Sequence, residues 1–125
     1  MSAHALNLYF GWGWVLAGFL SGALIGVRFH EAKFLGGYDA FPRRLVRLGH
    51  ICFVALGMLN VLFALSPVAA GARGAAASLF WVVGGVLMPA VCFLTAWRAP
   101  FRRLFFVPVT ALVLAVVFTL IGVSP

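Results

Sequence analysis

Residues 8–29 read LYFGWGWVLAGFLSGALIGVRF, an apolar run whose first charged side chain is Arg28, at its far end. A helix needs about 20 mainly apolar residues to cross the hydrocarbon of a bilayer. Only helices and closed barrels satisfy all their backbone polar groups in lipid. Three further windows meet the length test, 45–65, 78–97 and 104–123. A β-barrel is excluded, because these runs are continuously apolar rather than alternating and four strands cannot close one. The expected fold is therefore all-α: a polytopic integral membrane four-helix bundle forming a single transmembrane domain over residues 1–125.

Composition agrees. The chain is 65% apolar and 9% charged, against about 45–50% and about 25% in a soluble domain, and a short chain cannot hide so much apolar surface from water. The same balance excludes disorder. Nine Arg and Lys oppose only Glu31 and Asp39, for a net charge of +7. In a soluble protein that excess would suggest nucleic acid. Here the bases fall in or beside the connections between apolar runs, so the expected partners are anionic lipid headgroups of the bilayer and not nucleic acid.

Their distribution sets the expected orientation. Arg28, Lys33, Arg43, Arg44 and Arg47 flank or fill the first connection, Arg98, Arg102 and Arg103 the third, and Arg73 stands alone in the second. The positive-inside rule puts the first and third connections in the cytoplasm and both termini on the outer side. Tyr9, Trp12, Trp14 and Trp81 are expected at the outer interface and Trp97 at the inner one. The first run has no basic stretch before it and is too long for a signal peptide, so it reads as retained. A bacterial cytoplasmic membrane is the expected location.

In lipid, helices associate through small residues and interhelical hydrogen bonds. Gly18, Gly22 and Gly26, with Gly11 one heptad earlier, form a candidate packing stripe on the first helix, and Asn60 is expected to bond across helices from the second. Gly49, Gly57, Gly84 and Gly85 are candidate counterparts. Pro89 and Pro108 predict kinks, Gly36-Gly37 predicts a turn, and Pro42 fits a helix start. Residues 66–74 read as a plain small-residue linker. Cys52 and Cys92, in no paired-cysteine motif, read as buried free thiols.

The polar residues that stand out are His30, at the end of the first helix, and His50, one turn inside the second. Counted from the nearest arginines they lie at similar depth, on the same side. Two imidazoles from adjacent helices are standard axial ligands for haem iron, so His30 and His50 are candidate ligands of a haem b, with Arg43 and Arg47 placed for its propionates or for a quinone headgroup. Met88 and the cysteines lie in the same half, which makes a transition-metal site conceivable. His4 and Asn7, near the outer side, are read as lacking partners. No charged residue occupies the centre of a span, where proton- and cation-coupled transporters generally carry one, and no nucleophile stands with a base.

The run Gly18-Phe19-Leu20-Ser21-Gly22-Ala23-Leu24 followed by Arg28 is similar to the glycine-rich start of the fluoride-channel family, with Asn60 a looser likeness. That family's Thr- and Phe-rich break is missing from residues 79–95. The membrane-embedded Glu of the small multidrug resistance transporters is also missing, and the chain is assigned to neither. The leading expectation is a non-catalytic membrane subunit or assembly partner, associating with other membrane proteins or with itself. The alternatives are a haem- or quinone-binding redox anchor and a small oligomeric channel or transporter using Asn60 and the glycine face.

Overall fold

The structure is a computed structural model describing residues 1–71 and 74–123. Arg73, which enters the orientation argument, lies outside the described residues. Four helices are long and apolar enough to cross a membrane, the build of an integral membrane protein. They are α1 (Ala3–Phe29), α2 (Phe41–Leu65), α3 (Gly74–Trp97) and α4 (Phe106–Val123), joined by 3-10 turns at Phe34–Gly36, Pro67–Ala70 and Ala99–Phe105. No strand occurs among the described residues.

The first three helices start four or five residues before their apolar windows, because local chemistry rather than hydropathy begins a helix. At α1 the Ser2 hydroxyl accepts the Ala5 N–H at 3.2 Å. At α2 the start is fixed by Pro42 in the first turn, where its missing N–H has no intrahelical partner. Pro89 lies inside α3, which is continuous from Gly74 to Trp97. Pro108 does not interrupt α4 as expected. It occupies the first turn, directly after the 3-10 segment, where an absent donor costs least.

Side-chain contacts define the topology. Gly11 meets Gly57 and Val61, Gly18 meets Val54, and Gly22 meets His50, so α1 and α2 run antiparallel in steady register. Asn7 reaches Ser78 and Trp14 reaches Gly85, so α1 and α3 run parallel. Gly49 against Cys92 and Phe93, and Gly84 against Leu112, complete an up-down-up-down arrangement. It is a row more than a closed bundle. α1 packs along α2, α2 along α3 and α3 along α4, with a slighter contact between α1 and α3. Only 17% of the apolar window is buried in α1 and in α4, against 39% in α2 and α3, so the outer pair leaves broad faces to its surroundings.

The connection read as a linker departs from that expectation. Pro67–Ala70 folds inward, burying Val68 and Ala69 with Phe63, Ala77, Trp81 and Ala115 in the main hydrophobic cluster. Phe80 stacks on Phe118 beside it, with centroids 5.5 Å apart. Two interface aromatics also turn inward. Trp81 is buried and its indole donates to Thr119 at 3.0 Å, while the Trp14 indole donates to the Gly85 carbonyl at 2.8 Å. An indole inside a span needs an acceptor for its N–H, and these two have one. Tyr9, Trp12 and Trp97 remain exposed.

Candidate functional site

The end of the molecule that joins α1 to α2 and α3 to α4 carries all eight basic residues of the first and third connections. Its most ordered part is built on Arg43. This side chain is 4% exposed; its guanidinium donates to the Phe29 carbonyl at 2.6 Å and the Glu31 carbonyl at 3.3 Å. The first belongs to the last residue of α1, where backbone acceptors lose their intrahelical partners; the second lies just past it and also accepts the Phe34 N–H at 3.1 Å. The rings of Phe29 and Tyr38 lie 4.8 Å and 5.5 Å from the guanidinium carbon, and the Arg47 guanidinium also lies over Tyr38, at 4.9 Å. The loop reaches this position through three successive left-handed residues, Leu35, Gly36 and Gly37, at φ 52°, 89° and 103°. Glycine enters that region freely and leucine does not. Arg43 is thus engaged as the clamp of the hairpin, while Arg44 on the next position is exposed.

His50 lies deeper. Its ring rests on Gly22, where an added Cβ would come within 2.6 Å of Cε1, and its Nδ1 is 3.2 Å from the Ser21 hydroxyl. Ser21 Oγ donates its single proton to the Gly18 carbonyl at 3.0 Å, so toward His50 it is an acceptor. With Ser21 Oγ accepting, Nδ1 is the donor of this bond. His30 is elsewhere: it is the exposed residue that ends α1. Gly22, which is level with His50, precedes His30 by eight positions, about 12 Å of helix rise. The structure therefore sets the two histidines at different depths along α1 and not at one level.

The glycine stripe is shifted as well. Gly11, Gly18 and Gly22 face α2, but nothing lies within 4 Å of a Cβ added at Gly26, because α1 has there passed the crossing. Asn60 is wholly buried and donates to the Leu56 carbonyl at 2.8 Å and across the interface to the Trp81 carbonyl at 3.3 Å.

Asn7 and His4, read from sequence as lacking partners, both have one. Asn7 is wholly buried and its amide donates to the Ala3 carbonyl and the Ser78 hydroxyl. His4 Nδ1 lies 2.8 Å from the Ala64 carbonyl. The partners Ser78 and Ala64 come from α3 and α2, so nothing beside His4 and Asn7 in the sequence announces these bonds. An open cavity of about 220 Å³ lies next to Asn7, between Met1, Ala3 and Leu6 of one wall and Ala75, Ser78 and Leu79 of the other.

The polar side chains of the spans thus work mostly as ties between helices or as caps on helix ends. Compared with known proteins, the chain matches no family model, no curated protein and no solved structure.

Proposed function

We propose that the protein acts without catalysis as a small integral subunit or assembly partner of a larger membrane complex, with both termini on the outer side of a bacterial cytoplasmic membrane. The observation that carries this reading is the outward face of α1. Tyr9, Trp12, Leu16, Phe19, Leu20 and Leu24 are each more than half exposed on it, and Gly13 among them has nothing within 4 Å of its missing Cβ. A bare glycine between large apolar residues is a notch into which a second helix can settle, and such close approach is the main drive for association in lipid. The bases clustered at the α1–α2 and α3–α4 connections support the orientation in which that notch is offered.

A photo-reactive amino acid at Leu16 or Leu20, activated in native membranes, tests the reading. The expected result is one protein adduct of discrete size from these positions and none from Val113, on the exposed part of α4. Adducts to lipid alone from all three positions would remove the proposal.

A further inference from the structure

Two guanidinium groups share one ring at the start of α2. Arg43 and Arg47, about one helical turn apart, lie 5.5 Å and 4.9 Å from the centroid of Tyr38. Arg43 is buried, yet everything that meets its charge is neutral: the Phe29 and Glu31 carbonyls and the rings of Phe29, Phe34 and Tyr38. Its Nε is buried without an acceptor. Of the chain's two acids, Glu31 meets Arg43 through its carbonyl and Asp39 is exposed. Carbonyls and rings solvate a guanidinium without neutralising it, and a buried charge calls for one of opposite sign.

Arg47 is the group that an anion can reach. It is half-buried and held over Tyr38, and among the described residues no hydrogen bond engages its guanidinium. A guanidinium lying on a ring keeps the N–H groups of its edge, which match phosphate oxygens in pairs. Past Arg47, α2 carries no further Arg, Lys, Asp or Glu, so this base stands where the span meets the headgroups. Beyond it the exposed face that begins with Arg44 continues through Leu48, Ile51, Met58 and Leu62, all exposed, at spacings that keep them on one side of the helix.

We infer that Arg47, positioned by Tyr38, holds the phosphate of an anionic phospholipid, with Arg44 beside it and an acyl chain lying along Leu48, Ile51 and Leu62. The phosphate gives counter-charge to Arg47 directly and to Arg43 across the shared ring, so the bound lipid strengthens the clamp between α1 and α2. A zwitterionic lipid also carries a phosphate, but it sets its ammonium among Arg43, Arg44 and Arg47. A soluble phosphate lacks the chain that the apolar strip accepts.

The full chain is reconstituted in nanodiscs with equal amounts of phosphatidylglycerol and phosphatidylcholine of the same acyl chains, and the lipids that stay on the released protein are weighed by native mass spectrometry. The expected result is one phosphatidylglycerol per chain, preferred about five-fold, the weight of one base near a membrane surface, with the preference lost in Arg47→Gln. Arg103→Gln removes an equal charge from the other connection and is expected to keep it. Tyr38→Phe retains the ring and the lipid, whereas Tyr38→Ala frees Arg47 and loses most of the lipid. Added phosphatidylglycerol is expected to raise the denaturing-detergent fraction at which the wild type unfolds and to leave that of Arg47→Gln unmoved. Equal retention of the two lipids would overturn the inference, as would loss of the preference in Arg103→Gln, or displacement of the lipid by excess inorganic phosphate. If Arg47→Gln fails to insert, the contrast between Tyr38→Ala and Tyr38→Phe decides the question.

Discussion

Substituting Gly11 by alanine adds one methyl group where α1 meets the backbone of α2, and its cost follows from the geometry. The new Cβ would lie 2.7 Å from the Gly57 carbonyl oxygen, 2.7 Å from Val61 Cγ2 and 2.9 Å from the Val61 nitrogen. Two of these atoms are backbone, so no rotamer change relieves the clash. Ordinary contact begins at 3.4 Å, so α1 must retreat by about 0.7 Å from a helix it follows along much of its length, and overpacking of this kind costs about 1–3 kcal/mol. Gly57→Ala meets the Gly11 oxygen at 2.8 Å and should cost a similar amount. The double variant should cost less than the sum, because one retreat relieves both clashes. Gly13→Ala on the same helix meets nothing within 4 Å and is the internal control. Reversible unfolding in mixed micelles, titrated with denaturing detergent and followed by tryptophan fluorescence, measures all four. Gly11→Ala unfolding at the same detergent fraction as Gly13→Ala would refute the close-contact reasoning.

Arg43→Met keeps the apolar stem but removes the donors to the Phe29 and Glu31 carbonyls, the second of which keeps the Phe34 N–H; we expect a loss of about 1.5–3 kcal/mol, the scale of bonds to a charged group. Limited proteolysis should then cut the connection between α1 and α2 faster, with Arg43→Lys only partly protected because ammonium lacks the planar fork. Asn60→Leu removes the tie to the Trp81 carbonyl and should destabilise by about 0.6–2 kcal/mol in the same titration, without changing insertion. A C-terminal fusion to an enzyme that folds only outside the cytoplasm should be active, and the same reporter placed between Gly36 and Gly37 inactive; the reverse pattern would invert the proposed topology.

Much of this architecture is legible in the sequence because membrane helices are specified by long apolar runs, a signal that needs no knowledge of tertiary contacts. The number of spans follows from it, as does the gathering of basic residues at one end. Gly11, Gly18 and Gly22 are readable as a packing face for the same reason, since their spacing is a property of one helix. Less legible is anything that depends on which helices are neighbours. Asn7 is an isolated polar residue until α3 brings Ser78 to it, and the depth of His50 relative to His30 depends on the register of α1 against α2. Counting from Arg28 and Arg47 underestimates that offset because it takes the two arginines to lie at one level, and only the packing of α1 on α2 shows the register between them. The acceptors of Trp14 and Trp81 are illegible for the same reason, since the Gly85 carbonyl and the Thr119 hydroxyl come from neighbouring helices.

The row of helices has a consequence for how the chain is made. α1 is completed by α2, through the glycine face and the Arg43 clamp, and α4 is completed by α3, through Leu112 and the paired rings of Phe80 and Phe118. Each half can therefore mature as soon as its second helix leaves the ribosome, with the first half settled before the second exists. What remains is a late docking of two hairpins along the α2–α3 seam, which also joins α1 to α3, and that docking brings the Asn60 tie, the Asn7 bond to Ser78 and the Trp14 bond to Gly85. A failure of assembly would thus yield two intact hairpins side by side in the membrane, a product that retains helix content and orientation while lacking the central seam.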